Sequence, residues 1–161
     1  MNNNDCSRPW VVRANYHSEH QPTWEHLKQV IVAPQHDPLS GMDFTANVAF
    51  VEDKLFADQT STNLVRVLPD GYQGFFVFVV DEVTMISEQH PLLVIGFSPQ
   101  GDNSQDFDRR PSQTPEGEIR SFRAIPSTVQ SIENNLSIAN MDFEDFAQSV
   151  DPDGIFRGFS S

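Results

Sequence analysis

The chain has 161 residues, ten of them basic and twenty-three acidic, which gives a net charge of −13 at pH 7. Such a charge repels nucleic-acid backbones and anionic membrane surfaces, whereas it suits docking onto a basic protein surface. The length fits one domain with its own core, and the thirteen Phe residues predict that this core is aromatic-rich. We therefore expect neither a nucleic-acid partner nor a membrane association.

The amino-terminal segment is polar and carries the chain's single cysteine, Cys6. One cysteine cannot form an internal disulfide, so the fold does not depend on an oxidising compartment. No basic segment leads into an apolar stretch, and no apolar run reaches the ~18 residues that a membrane span needs. We expect a cytoplasmic protein in which residues 1–9 form a flexible stub and residues 10–161 form one domain.

Strands and helices alternate in the first half of the chain. Residues 10–16 (WVVRANY) have the β-branched and aromatic content of a strand. A helix is predicted next, because Ser18 and Gln21 have capping-box spacing and apolar residues recur at helical spacing from Trp24 to Ile31. Two prolines predict a loop over residues 34–41. A second strand is predicted at residues 45–51 and a short helix at residues 60–68.

The middle of the chain contains the clearest strands. Residues 75–80 (FFVFVV) and 91–97 (PLLVIGF) are uninterrupted apolar runs, which is typical of strands covered on both faces, and they are expected to be antiparallel neighbours. Residues 98–117 are rich in Pro, Gly, Ser and Asp, which predicts a mobile loop. The alternating pattern of residues 118–125 predicts a last strand.

Two helices are predicted for the stretch that includes ENNLSIANMDFEDFA, residues 133–147. Pro126 suits the start of the first helix, and Glu133 and Asn134 are expected to lie away from its apolar face. Asn140 has the position of a residue that ends a helix. Asp142 has capping-box spacing to Asp145 and is expected to begin the second helix, which buries Phe143 and Phe146.

This carboxy-terminal stretch, followed by VDPDGIFRGF, resembles the signature of an uncharacterised family of short acidic proteins, mostly bacterial, that is carried as a domain of unknown function. The segments DGYQGFFVFVVDEVTM and HPLLVIGF are also similar to that family, and so is the early strand followed by a helix that bears a Trp. The resemblance covers most of the chain outside residues 98–117. It implies a single mixed α/β domain, and it implies no catalytic residue.

Sequence motifs for metals and cofactors are missing. The segment Asp151–Gly154 resembles part of a calcium loop but is interpreted as a turn, because the remaining oxygen ligands do not follow. The five histidines have no zinc spacing, and no Gly-rich phosphate loop or Gly-x-Ser-x-Gly elbow occurs. We therefore predict no metal site and no cofactor.

Polar residues at the predicted strand ends are the candidate site. Asp81 follows the central strand and is the favoured catalytic acid, with Glu82 beside it. If the strands run parallel, Asn15, Glu52 and Asp53 meet Asp81 at the same edge. Candidate ligand-binding residues come from the strands and from the carboxy-terminal stretch: Arg13, Asn15, Arg123, Asn134 and Asn135, with Arg120 as a further counter-charge. The alternative is that these residues only solvate strand ends and helix faces.

The predicted fold class is α/β, a single-domain mixed sheet of about five strands with about four helices. Two functions remain open. One is an acidic, non-catalytic binding protein, immunity-like or regulatory, whose partner is a basic protein. The other is a cofactor-independent enzyme, an isomerase, cyclase or hydrolyase, that acts on a small apolar metabolite in an aromatic-lined pocket with Asp81 or Glu52 as acid or base.

Overall fold

The structure, a computed structural model, describes residues 6–37, 39–69, 72, 75–97, 119–138 and 141–158. In this part of the chain a sheet of six strands has the order β4-β1-β5-β6-β7-β8, and a separate pair is formed by β2 and β3. The strands are β1 Trp10–Arg13, β2 Gln35–Asp37, β3 Met42–Phe44, β4 Ala49–Val51, β5 Phe76–Val80, β6 Leu92–Gly96, β7 Arg120–Ala124 and β8 Ile155–Phe156.

Five strands of the large sheet end at the same edge. β1 is parallel to both β4 and β5, β6 is antiparallel to β5 and β7, and β8 is parallel to β7. Only β6 therefore runs the other way. We call the edge at which the other five strands end the carboxyl edge.

Helices cover both faces of the sheet. They are α1 Gln21–Val32, α2 Ser61–Arg66, α3 Glu82–Ile86, α4 Val129–Ser137 and α5 Phe143–Ala147. Apolar residues of α1, α4 and α5 share one core cluster with Phe76 and Phe78, whereas those of α2 share a second cluster with Val77 and Val79. We call these two sides the α1 face and the α2 face.

The aromatic side chains are used to fill the interior. All five residues of β5 are buried, which explains the uninterrupted apolar sequence of this strand. Phe76 meets Phe78 edge to face at 5.7 Å, and Phe146 meets Phe156 in the same way at 5.3 Å between ring centroids. Such pairs add to the stabilisation from burial. These four Phe residues therefore fill the interior of the described part of the chain.

The prediction of a single-domain mixed α/β sheet is confirmed, and so is the antiparallel pairing of β5 with β6. The predicted loop at residues 34–41 was wrong for Gln35–Asp37, which form β2 and pair with β3, whereas residues 39–41 are a turn. Helix α3 occupies the segment after β5, and a short strand, β8, follows the confirmed turn at Asp151–Gly154. Both elements are too short to show periodicity.

Some predictions lie outside the described residues. They concern Asn140, the first five residues of the stub and the whole loop at residues 98–117. The boundary of the stub at residue 9 stays a prediction. Among the helices of the described ranges, none has the length and apolarity needed to cross a membrane.

Candidate functional site

The candidate acids lie at the carboxyl edge but on opposite faces of the sheet. Phe50 belongs to the core of the α1 face, and the alternation of side chains puts Glu52 on that face as well. Val79 belongs to the core of the α2 face, so Asp81 lies on the α2 face. The structure thus brings strand-end acids to one edge, as the sequence suggested, and does not bring Glu52 and Asp81 into one pocket.

Asp81 is held by an arginine from β7. Arg123 donates from both terminal nitrogens, to Oδ1 at 3.0 Å and to Oδ2 at 2.8 Å. The backbone N–H of Thr84 also donates to Oδ1, at 3.1 Å, so that Asp81 caps α3. Burial opposes ionisation, but the hydrogen bonds and charge of Arg123, together with the bonds from Thr84, outweigh it and lower the pKa of Asp81.

The interactions of Asp81 change its predicted role. A carboxyl group with a lowered pKa is ionised near neutral pH and cannot donate a proton as a general acid. Its oxygens already accept three hydrogen bonds, two from Arg123 and one from the backbone N–H of Thr84. Because Arg123 is paired with Asp81, it is not available as a counter-charge for a ligand. The two residues instead connect β5, β7 and α3.

Glu52 belongs to a polar cluster on the α1 face. The buried Arg13 donates to Gln21 Oε1 at 2.7 Å and to Glu52 Oε1 at 3.1 Å. Lys28 approaches the other Glu52 oxygen at 3.9 Å. The guanidinium also lies over the ring of Tyr16, 4.7 Å from its centroid. Arg13 is therefore enclosed by aromatic and acidic groups and connects β1 to α1 and β4.

Asn15 lies at the carboxyl edge but faces inward. Its Oδ1 accepts from the backbone N–H of His17 at 3.3 Å and lies 2.8 Å from Nδ1 of His20. Because Asn15 is buried and these contacts hold the turn that leads into α1, its side chain stabilises the loop after β1.

Asn134 and Asn135 lie on α4, away from the carboxyl edge of the sheet. Asn134 donates to the carbonyl of Thr45, which precedes β4, and Asn135 donates to the carbonyl of Ser131 in its own helix at 2.8 Å. Since α4 runs from the end of β7 back across the sheet, these residues lie towards the edge where the parallel strands begin. The bond of Asn134 thus joins α4 to the segment before β4, and that of Asn135 stays within α4.

The expectation that Glu133 points away from the buried side of α4 was wrong. Its side chain is only 3% exposed. Oε1 accepts from the backbone N–H of Asn47 at 2.7 Å and from Asn134 Nδ2 at 2.6 Å, and Oε2 accepts from Ser137 Oγ at 2.8 Å. The segment before β4 covers this side of the helix, which helical spacing alone does not reveal.

A cleft opens on the α2 face at the carboxyl edge, with a volume of about 320 Å³. We call it the acidic cleft. Its floor consists of apolar side chains from α2, β5 and β6, and three acids line it. These acids are Asp58, Asp81 and Glu82. The positive charge of Arg123 compensates Asp81, whereas neither Asp58 nor Glu82 has an ion pair within the described residues. The cleft therefore combines an apolar floor with two uncompensated carboxylates.

Asp58 is the residue of this cleft that the sequence did not reveal. It adopts a left-handed backbone conformation, with φ of 57°, and its N–H donates to the carbonyl of Ala14 at the end of β1. Residues other than glycine adopt this conformation infrequently, although Asp is among the more tolerant ones. Only the path of the chain between β4 and α2 brings Asp58 to the carboxyl edge.

Helix α3 forms a ridge beside the acidic cleft. Val83 and Ile86 are 42% and 67% exposed, and Val83 also lines a second cleft of about 440 Å³ on the other side of α3. Glu88, Asp153 and Arg123 line that second cleft, and Asp153 is paired with Arg157. An exposed apolar ridge thus lies between two clefts that contain acids, which is the arrangement of an interaction surface with an apolar centre and a charged rim.

The described residues contain no group of three or more His, Cys, Asp or Glu side chains arranged to hold a metal ion. Among curated proteins, none matches this chain. A family model does match residues 8–159, nearly the full length. The chain therefore belongs to the family described as Domain of unknown function (DUF6924).

Proposed function

We propose that this protein is a non-catalytic, acidic binding protein of the cytoplasm that engages a basic protein surface through the acidic cleft and the α3 ridge. The observation that carries the proposal is the pair of uncompensated carboxylates, Asp58 and Glu82, around an apolar floor. An Arg or Lys side chain of a partner fits this combination, since its aliphatic stem covers apolar surface while its charged end reaches a carboxylate.

The charge of the whole chain supports the same partner. A net charge of −13 accelerates association with a basic protein and disfavours acidic ones. The exposed side chains of Val83 and Ile86 give the surface an apolar centre, which favours a protein partner over an isolated metabolite.

The alternative, a cofactor-independent enzyme with a carboxylate as acid or base, receives less support. Asp81 is occupied by Arg123 and by the start of α3, and Glu52 is occupied by Arg13. The acidic cleft is lined by aliphatic rather than aromatic residues. An enzyme of this class would need a proton-transfer group with a free lone pair inside a pocket.

The test uses two short peptides that differ only in charge. The first contains several Arg residues separated by Leu, and the second has citrulline, the uncharged isostere of Arg, at the same positions. We expect the Arg peptide to bind in calorimetric titrations, with an affinity that falls as salt is added, and we expect the citrulline peptide not to bind. Failure of the Arg peptide to bind at low salt would reject the proposal.

Two double variants separate the cleft from the overall charge. Asp58→Asn with Glu82→Gln removes both uncompensated carboxylates and should weaken binding by about tenfold or more. The control, Glu25→Gln with Asp43→Asn, removes the same number of charges from α1 and β3 and should weaken it by less than about twofold. Equal losses in both variants would show that the protein attracts the peptide by net charge without using the cleft.

A further inference from the structure

A separate cavity of about 240 Å³ lies on the α1 face, between α1 and the 3-10 turn Pro126–Thr128. Its apolar lining includes Leu27, Val30 and Ile125, and its polar lining includes two histidines, His26 and His90. We call it the histidine cleft. Among the described residues that line it, none is Asp, Glu, Lys or Arg, in contrast to the acidic composition of the chain. A ligand that matches this lining carries no charge of its own.

His90 has a fixed orientation in the histidine cleft. Its Nδ1 lies 2.8 Å from the carbonyl oxygen of Thr84, and because a carbonyl can only accept, Nδ1 is the protonated nitrogen. In the neutral ring Nε2 then carries a lone pair. No hydrogen bond of Nε2 to another described residue is present. His90, which lines the cleft, thus keeps one ring nitrogen, Nε2, as an acceptor for a ligand.

The segment around His90 is held in place from several sides. Its N–H donates to the carbonyl of Ser87 at 3.1 Å, and the carbonyl of the next residue, Pro91, accepts from Thr84 Oγ1 at 2.8 Å and from Arg123 at 3.1 Å. These bonds fix the histidine before any ligand arrives, which lowers the entropic cost of binding.

The backbone of His90 is in the left-handed region, with φ of 52°. A residue other than glycine rarely adopts this backbone conformation. The conformation persists where the surrounding hydrogen bonds enforce it. Such positions are concentrated at functional sites. The cavity, the oriented ring and the unusual backbone coincide at one residue.

We propose that the histidine cleft binds an uncharged, single-ring molecule whose hydroxyl group donates a hydrogen bond to His90 Nε2 while its ring packs on Leu27, Val30 and Ile125. The volume of about 240 Å³ matches one ring with a short substituent. This site lies on the other face of the sheet from the acidic cleft, so it does not depend on the function proposed above.

The experiment titrates the full chain with 4-ethylphenol and with ethylbenzene, which lacks only the hydroxyl group. Methyl resonances of Leu27, Val30 and Ile125 should shift with both probes, and 4-ethylphenol should bind about fivefold more tightly. Equal affinities of the two probes, or shifts that occur elsewhere on the protein, would overturn the proposal. Absence of binding by both probes would overturn it as well.

Three variants assign the affinity to the cleft. His90→Asn keeps a residue that tolerates the left-handed backbone but removes Nε2, so the two probes should then bind equally. Val30→Trp should fill the cavity and abolish binding of both probes, whereas Val32→Trp, at an exposed position of the same helix, should leave binding unchanged. Identical effects of the two Trp variants would contradict a site at Val30.

A measurement on the unaltered protein covers the case in which His90→Asn does not fold. The nitrogen chemical shifts of the His90 ring should show a proton on Nδ1 and a lone pair on Nε2, and Nε2 should shift on addition of 4-ethylphenol but not of ethylbenzene. A proton on Nε2 in the neutral ring would refute the proposed acceptor.

Discussion

Phe143 covers Gly96 so closely that a methyl group on the glycine Cα would lie 2.7 Å from Cδ2 of the ring. This contact joins α5 to β6, and the same ring packs on Phe122 of β7 at 5.1 Å between centroids. Glycine is required at this position for space and not for its backbone, because its φ is not in the left-handed region. The absence of a side chain on β6 is what allows α5 to dock.

Gly96→Ala should therefore destabilise the protein by about 1–3 kcal/mol, because the added methyl forces the ring of Phe143 away from the sheet. Urea unfolding measures this change. The second variant, Phe143→Leu, makes room, and the double variant should recover part of the loss. If Gly96→Ala costs the same in the wild-type protein and in the Phe143→Leu background, the origin of the cost is not steric.

The ion pair of Asp81 and Arg123 predicts a loss of stability in acid. A carboxyl group whose pKa is lowered by folding contributes stability above its unfolded pKa of about 3.9, and this contribution is lost as the pH falls through the lower, folded value. Unfolding free energies measured from pH 7 towards acid should fall in the wild type. The fall should be smaller in Asp81→Asn, which has no carboxyl group there to protonate.

At pH 7 Asp81→Asn should cost about 2–4 kcal/mol, since it leaves Arg123 half-buried without a counter-charge. A double-mutant cycle with Arg123→Gln should show a coupling of about 1 kcal/mol or more. Stability that is unchanged in Asp81→Asn would show that the pair contributes nothing and would return Asp81 to the candidate catalytic groups.

Most of the acids at the carboxyl edge could be predicted from the sequence. The residues with which these acids pair could not. The acids after strands β4 and β5 mark strand ends, and parallel strands bring their ends together. The partner of Asp81, however, is 42 residues away along the chain. Its identity depends on the order β5-β6-β7, which the composition of the strands does not specify. Local sequence patterns therefore placed Asp81 and Arg123 on their separate elements but did not predict that the two residues pair.

The same limit explains the misplacement of Glu133. Helical spacing correctly identified the apolar stripe of α4, in which Val129, Ile132 and Leu136 are buried. It gave no information about a second element that covers the adjacent side of the helix. Asn47, whose N–H meets Glu133, lies 86 residues earlier in the chain. A buried polar contact of this kind follows from the fold as a whole.

Both tyrosines should ionise late in an alkaline titration. Burial raises the pKa of Tyr16 to about 12, with Arg13 lowering it and Glu52 and Asp53 raising it. Burial also raises the pKa of Tyr72, whose hydroxyl donates to the carbonyl of Phe76 at 2.7 Å. Because the chain has only two tyrosines, the tyrosinate absorbance reports on them alone.

We expect little tyrosinate absorbance near pH 10, where an exposed tyrosine is half ionised. A raised folded pKa contributes stability that is present below the unfolded value of about 10 and is lost as the pH rises through the folded one. The unfolding free energy should therefore fall between about pH 10 and 12, and Tyr16→Phe should reduce that fall. An ordinary titration midpoint for both tyrosines in the folded protein would be inconsistent with these environments.

Glu133 should be more important for stability than its position in a polar stretch suggests. Glu133→Ala leaves the N–H of Asn47 without its acceptor and should cost about 2–3 kcal/mol. Glu133→Gln retains an oxygen for that bond and should cost about 1 kcal/mol. Thermal or urea unfolding of the two variants distinguishes them. Equal stability of Glu133→Ala and the wild type would show that the buried contacts make no net contribution.

A substitution at Asp58 tests whether the carboxylates of the acidic cleft favour binding while they lower the stability of the folded protein. Its carboxylate shares the cleft with those of Asp81 and Glu82, and like charges destabilise one another. Asn tolerates the same left-handed backbone as Asp, so Asp58→Asn removes the charge and leaves the conformation unstrained. We expect the variant to be more stable by about 0.5 kcal/mol and to bind the Arg peptide several-fold more weakly. A variant that is both less stable and equally able to bind the peptide would assign Asp58 to the support of the loop instead.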